Sequence, residues 1–213
     1  AVIGHPIGHT MSPFIQKRLF ELADMTMEYS VMDVPDLEKA LPDLRKLDCF
    51  NITIPHKSAI IPYLDGICEQ AELCGSVNTV RVEDGKLYGS TTDGPGFAMA
   101  LVCEGVDVPE DVVILGNGGA AKAIAFQIAQ RADFHLTIVH REGSYEKAMA
   151  LSGRLADYAR GRGDKNFCIQ VMSYRELEDD RSTRHSLLVN TTSVGMYPNV
   201  DACPVSDNVI ARF

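Results

Sequence analysis

The chain has 213 residues, of which 46% are hydrophobic and 23% charged, and its formal net charge at pH 7 is -9. A chain of this length and composition forms one large or two small globular domains with a sizeable buried core. The acidic balance excludes a general surface for nucleic acid or anionic membranes, although a local basic pocket for a small anion stays open.

The six cysteines form no C-x-x-C pair and no cysteine and histidine cluster with zinc spacing. We therefore expect reduced thiols in a cytoplasmic protein, and no metal site. No apolar run approaches the ~20 residues that span a bilayer. The first 13 residues lack the basic and apolar regions of a signal peptide.

The first half of the chain predicts a mixture of short strands and helices, followed by a hairpin around the turn Asp84-Gly85. Ser12 is expected to cap the first helix, with Pro13 in its first turn. The predicted elements are a strand at Val2-Ile3, a helix Phe14–Ala23, a strand Glu28–Val34, a helix Asp36–Leu47, a strand Phe50–Ile54, helical segments Ile60–Leu64 and Cys68–Cys74, and hairpin strands Val77–Glu83 and Lys86–Gly89.

The second half alternates strands and helices, which is typical of a parallel α/β sheet. The predicted elements are a helix Phe97–Glu104, a strand Asp111–Leu115, a helix Ala120–Arg131, a strand Leu136–Val139, a helix Tyr145–Arg160, strands Phe167–Val171 and Ser186–Asn190, and the start of a helix at Asp207–Phe213. We expect two domains, residues 1–94 and 95–213, and a C-terminus that is cut short.

Residues 112–121 combine an apolar strand, the turn G-N-G-G-A-A and an alanine-rich helix. This order predicts a dinucleotide site, in which Gly116 permits the tight turn, Gly118 lets the backbone approach a pyrophosphate, and Ala121 keeps the helix close to the strand. The free N–H groups at the helix start then bind the phosphates. The alternative is a glycine-rich turn without a ligand.

The next strand ends at His140, Arg141 and Glu142. An acidic residue at this position binds an adenosine ribose hydroxyl and favours NAD, whereas an arginine binds a 2′-phosphate and favours NADP. Both residue types are present, so the residues alone leave the choice of cofactor open.

In the first half, polar residues concentrate at strand ends and loops. Asn51 and Thr53 flank Ile52, so they share one face of a strand and are able to hydrogen-bond a polyol if that face lines a cleft. Taken alone, Lys57 is equally well explained as a surface lysine after a strand as by a catalytic role. Asp93 is equally well explained as the cap of a helix. His56 is expected to be a structural residue.

Six motifs together resemble the shikimate dehydrogenase family, and they occur in family order along the chain. They are G-H-P-I-G-H-T-M-S-P at residues 4–13, N-I-T-I-P-H-K at 51–57, G-S-V-N-T-V at 75–80, T-T-D-G-P-G-F at 91–97, G-N-G-G-A-A at 116–121, and N-T-T-S-V-G-M at 190–196. The family's own forms have serine at Thr10, alanine at Ser76, asparagine at Thr91 and alanine at Asn117.

The resemblance implies an α/β substrate domain, followed by a Rossmann-type domain with a parallel sheet. It also implies the NADPH-dependent reduction of 3-dehydroshikimate to shikimate in aromatic amino-acid biosynthesis. The implied catalytic pair is Lys57 and Asp93. The substrate carboxylate would meet Thr10 and Ser12, and Asn51 would support the substrate face. The implied partners of the ring hydroxyls are Thr53, Lys57, Asn78, Thr92 and Asp93.

For the cofactor, the glycine turn and the resemblance together indicate Gly116, Asn117, Gly118, Gly119, Ala120, His140, Arg141, Asn190, Thr191 and Met196. NADP is expected, with NAD possible because Glu142 would repel a 2′-phosphate if it pointed inward. The alternatives are a quinate/shikimate dehydrogenase that uses NAD, and a non-catalytic module that senses shikimate or quinate.

A monomer or a homodimer is expected. The family continues past Phe213 with a helix that carries a substrate-binding glutamine.

Overall fold

The structure is a computed structural model that describes residues 1–8, 10–164, 166–181 and 187–213. Within them the chain forms two compact units, Ala1–Thr92 and Asp93–Phe213. The assignment of substrate binding to one unit and dinucleotide binding to the other stays a prediction at this point.

The first unit is built on a mixed sheet with three short helices. Its elements are β1 Val2–Gly4, α1 Ser12–Leu22, β2 Val31–Asp33, α2 Leu37–Leu44, β3 Cys49–Ile52, β4 Gly66–Ile67, α3 Glu69–Cys74, β5 Thr79–Glu83 and β6 Lys86–Ser90. The strand order is β2-β1-β3-β5-β6-β4. Strand β1 runs parallel to β2 and β3, whereas β5 is antiparallel to β3 and β6.

The core of the first unit consists of apolar side chains from the central strands and from α2 and α3. Its buried members are Ile3, Val34, Leu37, Leu44, Phe50, Ile52, Ile60, Ala71, Val77, Val80 and Leu87. Because side chains alternate along a strand, burial of Phe50 and Ile52 turns Asn51 to the other face of β3.

The second unit is built on a parallel sheet flanked by helices. Its elements are α4 Asp93–Cys103, β7 Asp111–Leu115, α5 Gly119–Ile128, β8 Asp133–His140, α6 Tyr145–Arg162, β9 Asn166–Ser173, α7 Tyr174–Asp179, β10 Leu187–Asn190 and α8 Asp207–Ile210. The strand order is β10-β7-β8-β9, and every pairing is parallel. Residues at the carboxyl ends of β7, β8 and β10 therefore come to one edge of the sheet.

The predicted α/β class, with a parallel sheet in the second half, is confirmed, and several element bounds differ. Helix α4 begins at Asp93 and not at Phe97, because a proline such as Pro95 is tolerated in the first turn of a helix. Ser12 was predicted to cap α1, but it is the first helical residue, and Met11 occupies the cap position. Helix α7 was not predicted. Ser186, which the predicted strand included, lies outside the described residues.

Candidate active site

The polar face of β3 carries Asn51, and Thr53 follows directly after the strand. Both side chains are half-buried, and Asn51 lies between the buried Phe50 and Ile52. The Thr53 N–H donates to the carbonyl of Ile3 at 2.9 Å, so the backbone is held to β1 beyond the last strand residue. Because β3 ends at Ile52, Thr53 lies just beyond the strand, and the predicted sharing of one strand face by Asn51 and Thr53 stays a prediction.

Asn51, Asn78 and Thr92 come together through their side chains. The Asn51 amide donates to Thr79 Oγ1 at 3.2 Å, and the Thr79 hydroxyl donates to Asn78 Oδ1 at 3.1 Å. Asn78 in turn donates from Nδ2 to Thr92 Oγ1 at 2.9 Å and accepts from the Thr92 N–H at 3.0 Å. The end of the hairpin is therefore tied to β3 by side-chain bonds as well as by the sheet.

Thr10 and Ser12 are joined to this group by Tyr29, which the sequence did not identify. The Thr10 hydroxyl donates to Ser12 Oγ at 3.0 Å. The Tyr29 hydroxyl donates to Asn51 Oδ1 at 2.6 Å. Burial raises the pKa of Tyr29, and a hydrogen bond with the Ser12 side chain acts in the opposite direction. A buried tyrosine hydroxyl usually needs a partner, which is the only signal that the sequence carries for this role.

We call these seven residues the polar network: Thr10, Ser12, Tyr29, Asn51, Asn78, Thr79 and Thr92. The network runs through the first unit from the loop before α1 to the last residue of the unit. Its hydroxyl and amide groups are the donors and acceptors that a small polyhydroxylated acid requires. His9, which belongs to the first motif, lies outside the described residues.

Lys57 lies in the turns that follow β3, and its side chain is half-buried. Its carbonyl oxygen accepts from the Val77 N–H at 2.8 Å. The neighbouring His56 is 5% exposed, and its Nε2 lies 2.6 Å from the carbonyl oxygen of Val34. The backbone bond of Lys57 and the ring contact of His56 therefore fix the turn that carries Lys57, and the buried His56 ring fits the structural role expected for it.

Asp93 is the first residue of α4 in the second unit, directly after Thr92 of the network. Its side chain is half-buried. The helix start is held against α5, because a Cβ at Gly94 would lie 2.7 Å from the carbonyl oxygen of Ala123. Only glycine permits so close an approach, so the position of Asp93 within its unit depends on Gly94.

The glycine turn joins β7 to α5 as predicted. Gly116 has φ +109°, and a Cβ there would lie 2.9 Å from Thr191 Oγ1. Gly118 occupies the helix cap, no side chain caps the helix, and a Cβ at Gly118 would meet nothing within 4 Å. Ala121 is fully buried. The uncapped N–H groups of Gly119 and Ala120 thus face an open approach, which fits a pyrophosphate.

The segment after β10 lies beside the glycine turn. The Thr191 hydroxyl donates to the Leu115 carbonyl at 2.6 Å, and its N–H donates to the same oxygen at 3.1 Å. Asn190 organises its own loop, since its Oδ1 accepts from the Thr192 hydroxyl at 2.7 Å and its Nδ2 donates to the Val194 carbonyl at 3.1 Å. Met196, further along this loop, is 58% exposed.

At the end of β8, the His140 ring packs edge-on against Tyr145, with 5.4 Å between the ring centroids. Arg141 and Glu142 are both exposed. Burial raises the pKa of Tyr174, and the positive charge of Arg141 acts against that rise. The exposed cation at this position suits an anionic group better than a ribose hydroxyl.

No group of three or more His, Cys, Asp or Glu residues with the geometry of a metal site occurs in the part of the chain that the structure describes. None of the described helices is long and apolar enough to cross a bilayer. All six cysteines are free thiols, and all but Cys74 are exposed.

Comparison with known proteins gives consistent matches. Residues 2–80 match the family model described as the shikimate dehydrogenase substrate binding domain. One relative is a protein from Caldanaerobacter subterraneus subsp. tengcongensis that is named shikimate dehydrogenase (NADP(+)). The two sequences are 38% identical over an alignment of 220 residues, gaps included, and the match covers 99% of this chain and 74% of the relative.

Two solved structures extend the comparison to the fold. A shikimate dehydrogenase in complex with NADP+ matches with a TM-score of 0.82 and 36% identity, over 96% of this chain and 70% of that one. A shikimate 5-dehydrogenase from Listeria monocytogenes, in complex with shikimate and NAD, matches with a TM-score of 0.75 and 31% identity, over 92% of this chain and 69% of that one.

Proposed function

Because this chain belongs to the shikimate dehydrogenase family, we propose that it catalyses the reversible NADPH-dependent reduction of 3-dehydroshikimate to shikimate in aromatic amino-acid biosynthesis. It is an oxidoreductase that acts on a CH–OH group. The observation that carries the proposal is the polar network, which gathers Ser12, Asn51, Asn78 and Thr92 on one side of the first unit.

The first unit binds the substrate in this proposal. The hydroxyls of Thr10 and Ser12 meet the carboxylate, and they already lie 3.0 Å apart. Asn51 supports the site through the bonds that it makes to Tyr29 and Thr79. The ring hydroxyls are assigned to Thr53, Lys57, Asn78, Thr92 and Asp93.

Lys57 and Asp93 are the proposed catalytic pair. Reduction of a ring carbonyl creates an alkoxide that must take up a proton, and the Lys57 ammonium is the group that donates it or stabilises the charge as it develops. Asp93 accepts a hydrogen bond from the reacting hydroxyl and orients Lys57. Support comes from the backbone bond between Lys57 and Val77 and from the close packing at Gly94.

The second unit binds the dinucleotide in this proposal. When bound, NADPH supplies the hydride that the protein itself lacks. Gly116, Gly118, Gly119 and Ala120 surround the pyrophosphate with backbone N–H groups, as the open helix cap supports. The adenosine end is assigned to His140 and Arg141. The nicotinamide end is assigned to Asn190, Thr191 and Met196.

NAD is the second candidate cofactor, with quinate as a second substrate. Glu142 is exposed beside Arg141, and the Listeria relative was crystallised with NAD. We further propose a monomer or homodimer in the cytoplasm, and the exposed free thiols support a reducing compartment.

Initial rates of NADP+ and NAD+ reduction, measured with shikimate and with quinate, test the proposed function. The expected result is the highest kcat/KM for shikimate with NADP+. Tight shikimate binding by calorimetry, without turnover in any of the four combinations, would instead identify a sensing module. A higher kcat/KM with NAD+ and quinate would instead identify a quinate/shikimate dehydrogenase that uses NAD.

A further inference from the structure

Asn117 connects the glycine turn to the loop that follows β8. Its Nδ2 lies 3.0 Å from the carbonyl oxygen of Ser144 and 3.3 Å from Ser144 Oγ. Ser144 is 8% exposed, so these contacts are partly buried and are stronger than they would be at the surface. An alanine, the residue that the family motif has at this position, would make neither bond.

Ser144 is bonded in turn to the backbone of Arg141. The Ser144 hydroxyl donates to the Arg141 carbonyl at 3.0 Å, and the Ser144 N–H donates to the same oxygen at 3.1 Å. His140 Nδ1 also lies 3.1 Å from that oxygen. Three contacts therefore hold the backbone of Arg141, while its side chain stays exposed.

The Asn117 side chain is occupied within the protein. An asparagine amide nitrogen is a donor, and both contacts of the Asn117 Nδ2 go to oxygens of Ser144. The Ser144 hydroxyl uses its single proton on Arg141, so towards Asn117 it acts as an acceptor. The amide is therefore held by Ser144, through which it acts on the loop that carries Arg141.

Building on the proposed function, we propose that Asn117 is a positioning residue that sets the preference for NADP over NAD by holding the backbone of Arg141. Arg141 and Glu142 are adjacent, exposed and of opposite charge, so a small rotation of this loop would exchange a cation for an anion at the 2′ position. The pinned Arg141 carbonyl prevents that rotation. The two cofactors differ only in the 2′-phosphate, so the effect is selective.

Calorimetric dissociation constants for NADP+ and NAD+, measured without substrate, test this role. Asn117→Ala is expected to raise the Kd for NADP+ about fivefold to tenfold, the range of one or two neutral hydrogen bonds, and to change the Kd for NAD+ less than about twofold. Asn166→Ala, which truncates an exposed amide on β9, is the matched control and should change neither constant. An equal loss for both cofactors would mean that Asn117 only shapes the turn, and would overturn the proposal.

A double-mutant cycle with Arg141→Ala shows whether the two residues act together. Once Arg141 is removed, Asn117→Ala should leave the Kd for NADP+ unchanged, and a further loss as large as in the native background would overturn the proposal. Should Asn117→Ala fail to fold, Ser144→Ala keeps the carbonyl acceptor but removes the hydroxyl. That variant should lower the NADP+ preference about twofold to threefold, and no change would count against the proposal.

These binding measurements separate the inference from the proposed function. A protein that binds NADP+ with the expected mutational pattern but does not oxidise shikimate would overturn the function and leave the inference standing. A protein that oxidises shikimate but binds both dinucleotides equally would overturn the inference alone.

Discussion

The polar network of the first unit and the glycine turn of the second hold their functional groups by different means. In the network, side chains hold one another, as in the bonds from Tyr29 to Asn51 and from Asn78 to Thr92. At the glycine turn, the backbone itself is the functional group, and its path depends on the positive φ of Gly116. The polar network therefore depends on hydrogen bonds between side chains, whereas the glycine turn depends on positions that have no side chain.

This difference predicts different responses to substitution. Removing one hydroxyl from the network should weaken substrate binding and leave the fold intact, because each residue makes several bonds and the sheet beneath is buried. Adding one methyl group at the turn should lower stability and cofactor affinity together, because the backbone must move. The variants below test this contrast, from the largest expected effect to the smallest.

Lys57→Ala should give the largest change. We expect kcat to fall about 10²–10⁴-fold, the usual contribution of general acid catalysis, while the KM for shikimate changes far less. Lys46→Ala is the matched control, because Lys46 is an exposed lysine of the same unit that pairs with Asp43 at 2.7 Å. Equal losses in kcat and in substrate affinity would contradict a role in the transition state.

Gly116→Ala should lower both the free energy of unfolding and the affinity for the dinucleotide. A Cβ at this φ of +109° would lie 2.9 Å from Thr191 Oγ1, which is itself bonded to Leu115. The strain costs on the order of 1–3 kcal/mol, measured by urea unfolding. Gly153→Ala, in the middle of α6 with nothing near the new methyl group, should instead stabilise by about 0.5–1 kcal/mol.

Tyr29→Phe should raise the KM for shikimate about threefold to tenfold and leave the KM for NADP+ unchanged. The variant keeps the ring but removes the hydroxyl that bonds Asn51 at 2.6 Å and contacts Ser12. Tyr63→Phe, a tyrosine packed on the core of the same unit, is the control. An unchanged shikimate KM together with a lowered unfolding midpoint would assign Tyr29 to the fold alone.

The sequence predicted those parts of the site that follow from local rules. Strand alternation places Asn51 on the polar face of β3, and the order strand, glycine turn, helix places Gly116 and Gly118. In both cases the prediction rests on the pattern of residues that are neighbours in the chain. The parallel sheet of the second unit followed from the alternation of strands and helices for the same reason.

The contacts that join distant segments could not be predicted. Tyr29 and Asn51 are 22 residues apart, and Asn117 and Ser144 are 27 apart, so neither pair has a sequence pattern. Residue type alone did not indicate that the Asn117 amide would bond to Ser144. Helix α7 was missed because its capping box, Ser173 with Glu176, directly follows a strand that was predicted to end earlier.

Ser76→Ala should have the smallest effect, and one of opposite sign. Ser76 is fully buried, and its hydroxyl has no hydrogen-bond partner among the described residues. Because an unsatisfied buried hydroxyl is destabilising, the alanine variant should gain about 1 kcal/mol in the free energy of unfolding, with both KM values unchanged. Ser58→Ala should lose stability, since that hydroxyl donates to the Gly75 carbonyl at 2.8 Å. A loss in both variants would show that Ser76 has a partner and belongs with the side-chain bonds that hold the first unit.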